Sequence, residues 1–328
     1  MSAINMNDAK TTKAVWLSFC LGLMAALGLS AAPAFAQSRT WVSGAGNDAN
    51  PCSRTLPCLT FAAAHAVTAA GGEINCLDSA GFGTLTITKA ISIICEGVVA
   101  GVLASGVNGM TVNAGAGDVV VLRGLDFEGI GTGNSGIAFN SGAALHIENC
   151  RIRDFNDWGI LFTPTAAAEL YVTGATISHN GFVAGGGGIE VRTTAGLTSK
   201  VTINQSNVQN NTFGIRADGN GGAGGVINMT IRDTVSTGNS LNGIVGTTPA
   251  GMAAIVMMLD RVTSSHNAAG FGVIADGPST FINVGGSSVA GNANGVGSSN
   301  GGTLLSFKTN QIRGNSVDGT PVAAVSLD

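Results

Sequence analysis

The feature that most narrows the folding options of this chain is a repeat. Val208-Gln-Asn-Asn-Thr-Phe-Gly-Ile215 has close variants in Ile152…Asn156…Gly159-Ile160, Ile177…Asn180…Gly188-Ile189 and Val235…Asn239…Gly243-Ile244. Val262…Asn267…Gly270-Phe271 and Val289…Asn292…Gly295-Val296 continue it, and Ile312…Asn315 opens one more unit. The leading aliphatics stand 25, 31, 27, 27, 27 and 23 residues apart. A period in this range signals a stacked architecture, in which each unit buries its apolar side only against its neighbours.

Short apolar stretches such as Ile74-Asn-Cys-Leu77, Leu85-Thr-Ile-Thr88 and Ile91-Ser-Ile-Ile94, split by Gly or Asp turns, predict strands. Alignment on the leading aliphatic brings out two core-facing columns. Five residues before it stand Ile147, Val172, Ile203, Met257, Val284 and Phe307; seven before it stand Leu145, Leu170, Val201, Ile255, Ile282 and Leu305. Both columns fail at Thr230 and Asn228, where Ile227, Met229 and Ile231 imply a one-residue shift or bulge. A third column, Asn156, Asn180, Asn211, Asn239, Asn267, Asn292 and Asn315, falls at a bend between strands. Asn tolerates the turn conformation, and stacked amides can bond from coil to coil.

Lys10 and Lys13 precede an apolar run from Ala14 to Leu29, and Ala34-Phe-Ala36 supplies a small-x-small cleavage pattern. Residues 1–36 are therefore expected to be a secretory signal peptide, and no later stretch is long enough to span a membrane. An exported protein, periplasmic or extracellular, follows. Residues 37–72 differ from the repeats: a strand and turn over Thr40–Asn50, then an Ala-rich helix from Thr60 to Ala70 stopped by Gly71-Gly72. Solenoids need a cover for the open end of the core, which makes this the cap, with His65 an ordinary part of it. Residues 73–328 leave room for roughly nine coils, a rod on the order of 45 Å long at strand spacing.

Beyond residue 36 there are 13 basic residues against 18 acidic ones, so nucleic acid, which demands a basic face, is excluded as a partner. Only 10% of the chain is charged and 50 residues are Gly, but the regular aliphatic positions rule out disorder. In an exported chain Cys52 and Cys58 form an expected local disulfide. Cys76 and Cys95 lie in consecutive apolar segments, where a second pair is an even choice, and Cys150 is left over as a buried thiol.

Two features carry a family resemblance. One is the run Trp41-Val-Ser-Gly-Ala-Gly-Asn-Asp-Ala-Asn-Pro-Cys52…Pro57-Cys-Leu-Thr-Phe61, followed by Gly81-Phe-Gly-Thr-Leu-Thr-Ile-Thr-Lys-Ala-Ile-Ser-Ile93; the other is the Asn-x-x-Gly-Ile coil. In both, the chain resembles bacterial secreted right-handed parallel β-helix proteins of the pectate-lyase-like superfamily, from about Arg39 to Val317. The resemblance implies an all-β fold, a right-handed parallel β-helix solenoid with an N-terminal helical cap, and a polysaccharide or cell-surface glycan as partner. The marks of the superfamily's enzymes are missing. The chain has no Asp-Asp, no Gly-His-Gly and no Arg-x-Pro-x-x-Arg, and Arg151-Ile-Arg153 is its nearest approach to Arg-x-Lys.

Three constellations are candidates for chemistry. Asp233 and Asp260, 27 residues apart, fall in one repeat column, where they either share a Ca²⁺ or are neutralised by Arg232 and Arg261. Outward-facing Glu190 and Arg192 stack against Arg216 and Asp218, as a grip for a sugar or as plain cross-strand ion pairs. In Arg151-Ile-Arg-Asp-Phe-Asn-Asp-Trp158, Trp158 offers a ring to a sugar, with Arg153, Asp154 and Asp157 bonding its hydroxyls. The alternative there is a bend that satisfies itself. His146 and Tyr171 share an outward column, a hint of an acid/base pair or stacking platform, whereas His179 and His266 belong to turns. The leading expectation is a non-catalytic glycan-binding protein without a cofactor, unless the aspartates hold Ca²⁺. The alternatives are a lyase or hydrolase with a divergent site, and a structural or adhesive rod.

Overall fold

The computed structural model describes residues 37–321 and 323–326, so the expected signal peptide lies outside the described residues. Alternating strands such as Ile91–Ile94 and Ala168–Thr173 put every second side chain inside. Every third strand returns to the same sheet, which builds three parallel sheets of twelve, nine and ten strands in about nine turns. The core is the continuous interior between them, filled by aliphatic columns and by rings such as Phe139 and Phe162, stacked at 4.7 Å.

Two corners shape each coil, and each turns on one left-handed residue. Between the twelve- and ten-stranded sheets these include Gly124, Asn149, Gly174, Gln205, Asp233, Arg261 and Gly286. Between the ten- and nine-stranded sheets they include Asp154, His179, Asn210, Gly238, His266, Gly291 and Gly314. This conformation costs an ordinary residue about 1–2 kcal/mol, which is why Gly, Asn and Asp recur. His179 and His266 are such turn residues.

The residue after the second corner is the ladder Asn. From Asn180 through Asn211, Asn239, Asn267 and Asn292 to Asn315, each Oδ1 accepts from the backbone N–H of the residue before it in the column. Between successive Asn residues the Nδ2 donates as well, at 2.7–3.3 Å. Asp318 accepts the last pair of bonds, from Asn315. Asn156 is not part of the ladder: Phe155 holds its place, donating its N–H to Asn180. The ladder also dictates the Gly of the repeat. A Cβ on Gly214 would come 2.3 Å from the Gly243 carbonyl oxygen and 2.9 Å from Asn239 Nδ2.

The repeat alignment needs correction at three places. The register sets Val208 against Ser236 and Ser236 against Ser264, so these serines take the inward strand position; Val235 is half-exposed, and Val262 is buried at the corner before its strand. Both serines are fully buried, and their hydroxyls donate to Gly243 and Gly272 carbonyls. With the column so placed, Met229 and Ile231 pair with Val201 and Ile203 without a bulge, and Leu259 takes the place assigned to Met257. The repeat glycine of the following coil is Gly272, beside Val273, rather than Gly270. In the last coils Leu304 is buried, while Leu305 and Phe307 are half-exposed.

The helix is shorter than expected, Phe61–Val67, with Thr60 accepting from the Ala63 N–H at its start. Thr68 already begins a strand, Thr68–Cys76, that pairs with Gln37–Val42. Gly71 and Gly72 serve a register shift in that pairing instead of a helix stop. Phe61 packs on Phe82 at 5.2 Å, joining the helix to the core. Disulfides join Cys52 to Cys58 and Cys76 to Cys95, and Cys150 is a buried free thiol. No described helix is long and apolar enough to cross a membrane.

Candidate functional site

The outward face of the nine-stranded sheet differs from an ordinary solvated sheet surface, because much of what points outward there is buried. Parallel register aligns Leu161, Glu190, Arg216, Val245 and Ile274 in one outward column. Glu190 is completely buried, and Val245 and Ile274 nearly so. A second row runs through Trp158, Gly187 and Phe213 at the start of the strands. Gly187 matters because it has no side chain: a Cβ there would meet Trp158 at 2.7 Å. The Trp158 ring therefore crosses that coil and stacks on Phe213, centroids 6.3 Å apart.

Six of the eight sugar-site candidates converge here; Asp154, at the corner after Arg153, is not among them. Arg216 lies over both rings, 4.9 Å from Trp158 and 5.1 Å from Phe213, and donates to Glu190 at 2.6 and 3.0 Å. Arg192 donates at 2.8 Å to Glu190 Oε1, which Arg216 Nη2 shares, and approaches Asp218 at 3.6 Å, while Arg216 reaches Asp218 at 3.7 Å. Burial pushes the Glu190 carboxyl above its usual range, although Arg216 and Arg192 draw it back. Burial likewise raises Asp157, against the pull of Arg192, a hydrogen bond from Ser135 and the charge of Arg216. Trp158 is only 2% exposed, so it is a floor under Arg216 and not an open platform.

Arg153 does not join this cluster. It stays on the ten-stranded sheet, paired with Asp126 and, at 2.5 Å, with Glu128. Asp233 and Asp260 are not in one column either: Asp260 stands opposite Arg232. Asp233 binds Arg261 at 2.7 Å, and Asp260 binds the same guanidinium at 2.7 Å. Arg232 completes the lattice at 3.3 and 3.5 Å, so the two acids share two arginines. Among the described residues no cluster of three or more His, Cys, Asp or Glu is placed to hold a metal. His146 and Tyr171 do stack, at 4.6 Å, on the exposed face of the twelve-stranded sheet, with the Tyr171 hydroxyl donating to Glu169.

Sequence reasoning missed Phe213, Ser135 and a polar hollow of about 480 Å³ on the same face. Thr84, Leu85, Thr86, Val107, Asn108, Thr111 and Asn134 line it. The hollow adjoins the charged cluster: Asn108 accepts from the Ser135 N–H, and the Asn134 carbonyl accepts from the Asp157 N–H. Its signal in the sequence was a run of outward Thr and Asn in the early coils, which lack the full repeat. Further along the face, Asp276 accepts from Thr247, Ser299 and Asn300.

Residues 95–253 match the model of a family described as a right handed beta helix region. The chain is a right-handed β-helix protein. No curated protein matches it in sequence. Two solved chains are similar to this one in structure. One is the pectate lyase Pel9A, 12% identical with a TM-score of 0.47, over 85% of this chain and 79% of that one. The other is a GH136 lacto-N-biosidase from Eubacterium ramulus, 10% identical with a TM-score of 0.41, over 88% of this chain and 67% of that one. Likeness at this level says nothing about what the β-helix protein described here binds.

Proposed function

We propose that this is an exported, non-catalytic protein that binds a neutral polysaccharide along the outward face of its nine-stranded sheet. The observation that carries this reading is the Thr- and Asn-lined hollow set against a sunken cluster of charges. Hydroxyls and amides suit sugar hydroxyls, which both donate and accept. Uronates suit the face less well: Asp157, Glu190 and Asp218 outnumber Arg192 and Arg216, and both guanidiniums already bind carboxylates. Glu190, held by two arginines and shut from solvent, is poorly placed to exchange protons with a substrate. The test is affinity electrophoresis of the chain from Gln37 through neutral and acidic polysaccharides. Retardation by a neutral glycan that weakens in Thr111→Ala and Asn134→Ala supports the reading; retardation by pectate or alginate alone sinks it.

One observation favours a second reading, as a hydrolase. Asp157 is tied by its N–H to the carbonyl of Asn134, a residue that lines the hollow, and burial shifts its carboxyl above the usual Asp range, as a general acid requires. New reducing ends from a neutral glycan, lost in Asp157→Asn, would establish it. A lyase instead yields unsaturated uronates, visible by ultraviolet absorbance with Ca²⁺ and silent with chelator.

A further inference from the structure

A second hollow, of about 460 Å³, lies at the corner between the twelve- and ten-stranded sheets, away from the face discussed above. In later coils that corner is one or two residues long, such as Gly124 or Asn149-Cys150. Here five residues, Cys95 to Val99, separate the strands Ile91–Ile94 and Ala100–Leu103. The expanded corner stands as a flap, and the Cys76–Cys95 disulfide ties down its root. Glu96, Val98 and Val99 wall the hollow on the flap side; Leu125, Asp126 and Arg151 close it from the next coils. Gly124, with a left-handed backbone, adds no side chain to fill it.

The charges in this hollow are mismatched in an informative way. Register sets Arg151 opposite Asp126 on the neighbouring strand. Asp126 nevertheless pairs with Arg153, one turn of the pleat along. Arg151 is left exposed, with no ion pair or side-chain hydrogen bond among the described residues. Across the hollow, Glu96 is 61% exposed, and its one ionic contact is a loose 3.8 Å approach to Arg123, which binds Glu148 at 2.6 Å. Between these two available charges lie the exposed side chain of Val99 and the half-buried one of Val98, over the backbone of Leu125.

We infer that the hollow under the Cys95–Val99 flap binds a small aliphatic α-amino acid. Its carboxylate would lie on Arg151, whose planar fork matches a carboxylate with two parallel bonds. The ammonium goes to Glu96, and the aliphatic side chain covers Val98 and Val99. The volume suits a small ligand. Exposure of both charged partners makes the site a weak one, with a dissociation constant of about 1 mM.

The test is a titration of the chain from Gln37 with L-leucine, followed by NMR shifts of the backbone amides of Glu96–Val99 and Leu125. Leucinamide, which lacks the carboxylate, and N-acetyl-leucine, which lacks the ammonium, serve as paired probes. Saturable shifts with leucine are expected, weakened about tenfold or more with either analogue. Arg151→Ala should abolish them and Glu96→Gln should weaken them, with both folds checked by circular dichroism. The idea fails if leucine gives no saturable shift, if leucinamide binds as well as leucine, or if Arg151→Ala binds unchanged. Retention on a polysaccharide should be indifferent to both variants, which separates this site from the glycan-binding reading.

Discussion

The Arg216 guanidinium rests 4.9 Å above the Trp158 ring while two of its nitrogens bind Glu190. The indole thus serves as the floor of an ion pair. Removing it opens a void beneath a half-buried charge. Trp158→Ala is expected to cost about 3 kcal/mol or more, seen as a lower urea midpoint at unchanged slope. A variant as stable as its parent would show that the ring supports nothing.

Glu190 answers both Arg192 and Arg216 from a position closed to solvent. Deleting one partner of a buried pair strands the other. Glu190→Ala is expected to destabilise by about 3–5 kcal/mol, whereas the double variant Glu190→Ala/Arg216→Leu should recover part of the loss. Additive losses in the double-mutant cycle would refute the coupling.

In the Asn ladder, position decides the cost. Asn239 is fully buried and receives both bonds from Asn211, while Asn315 sits half-exposed at the end of the stack. Asn239→Ala leaves buried donors without an acceptor and should cost about 2 kcal/mol or more. Asn315→Ala should cost less. Hydrogen exchange at the Asn211 N–H is the local readout, and it should quicken only in the first variant.

Asp276 supplies a pH dependence with a definite sign. Burial alone would raise its carboxyl, but hydrogen bonds from Ser299, Asn300 and Thr247 outweigh that and hold it below the ordinary Asp value. Its contribution is present above the unfolded Asp pKa of about 3.9 and is lost as pH falls through the lower folded value. Asp276→Asn should therefore cost stability at pH 7 and progressively less in acid. A gap from wild type that stays constant down to low pH contradicts this.

Burial pushes the Cys150 thiol up to about 12. In the chain from Gln37 it should resist iodoacetamide at pH 8 while folded and take up one equivalent once unfolded. Reaction in the folded state at a free-thiol rate would mean that the coil opens locally.

The repeat made the solenoid legible because aliphatic positions, Asn and Gly recur for separate physical reasons that coincide in several of the later coils. Its phase was harder to read. Ser236 and Ser264 hide core positions, since a buried hydroxyl that donates to a carbonyl does not look apolar in sequence. Asn156 matches the ladder's spacing in sequence, although Phe155 holds that place. At the candidate site, outward alternation correctly grouped Glu190, Arg192, Arg216 and Asp218. It did not show that their face is sunken, because burial of an outward residue depends on Trp158 crossing Gly187, a contact between coils. Arg153 went astray for a related reason: the acids that claim it, Asp126 and Glu128, lie one coil earlier.

Every bond that a ladder Oδ1 accepts runs in one direction, from the Phe155 N–H to the Asp318 carboxylate. An Asn inside the stack must give and receive, so a duplicated interior coil would arrive with both of its connections ready. A carboxylate can only receive, and with Asp318 the series has no amide to hand on. Lengthening the ladder by duplicating an interior coil is thus easy from within, whereas an Asn added beyond Asn315 would have to displace the Asp318 carboxylate, three residues along, to join it.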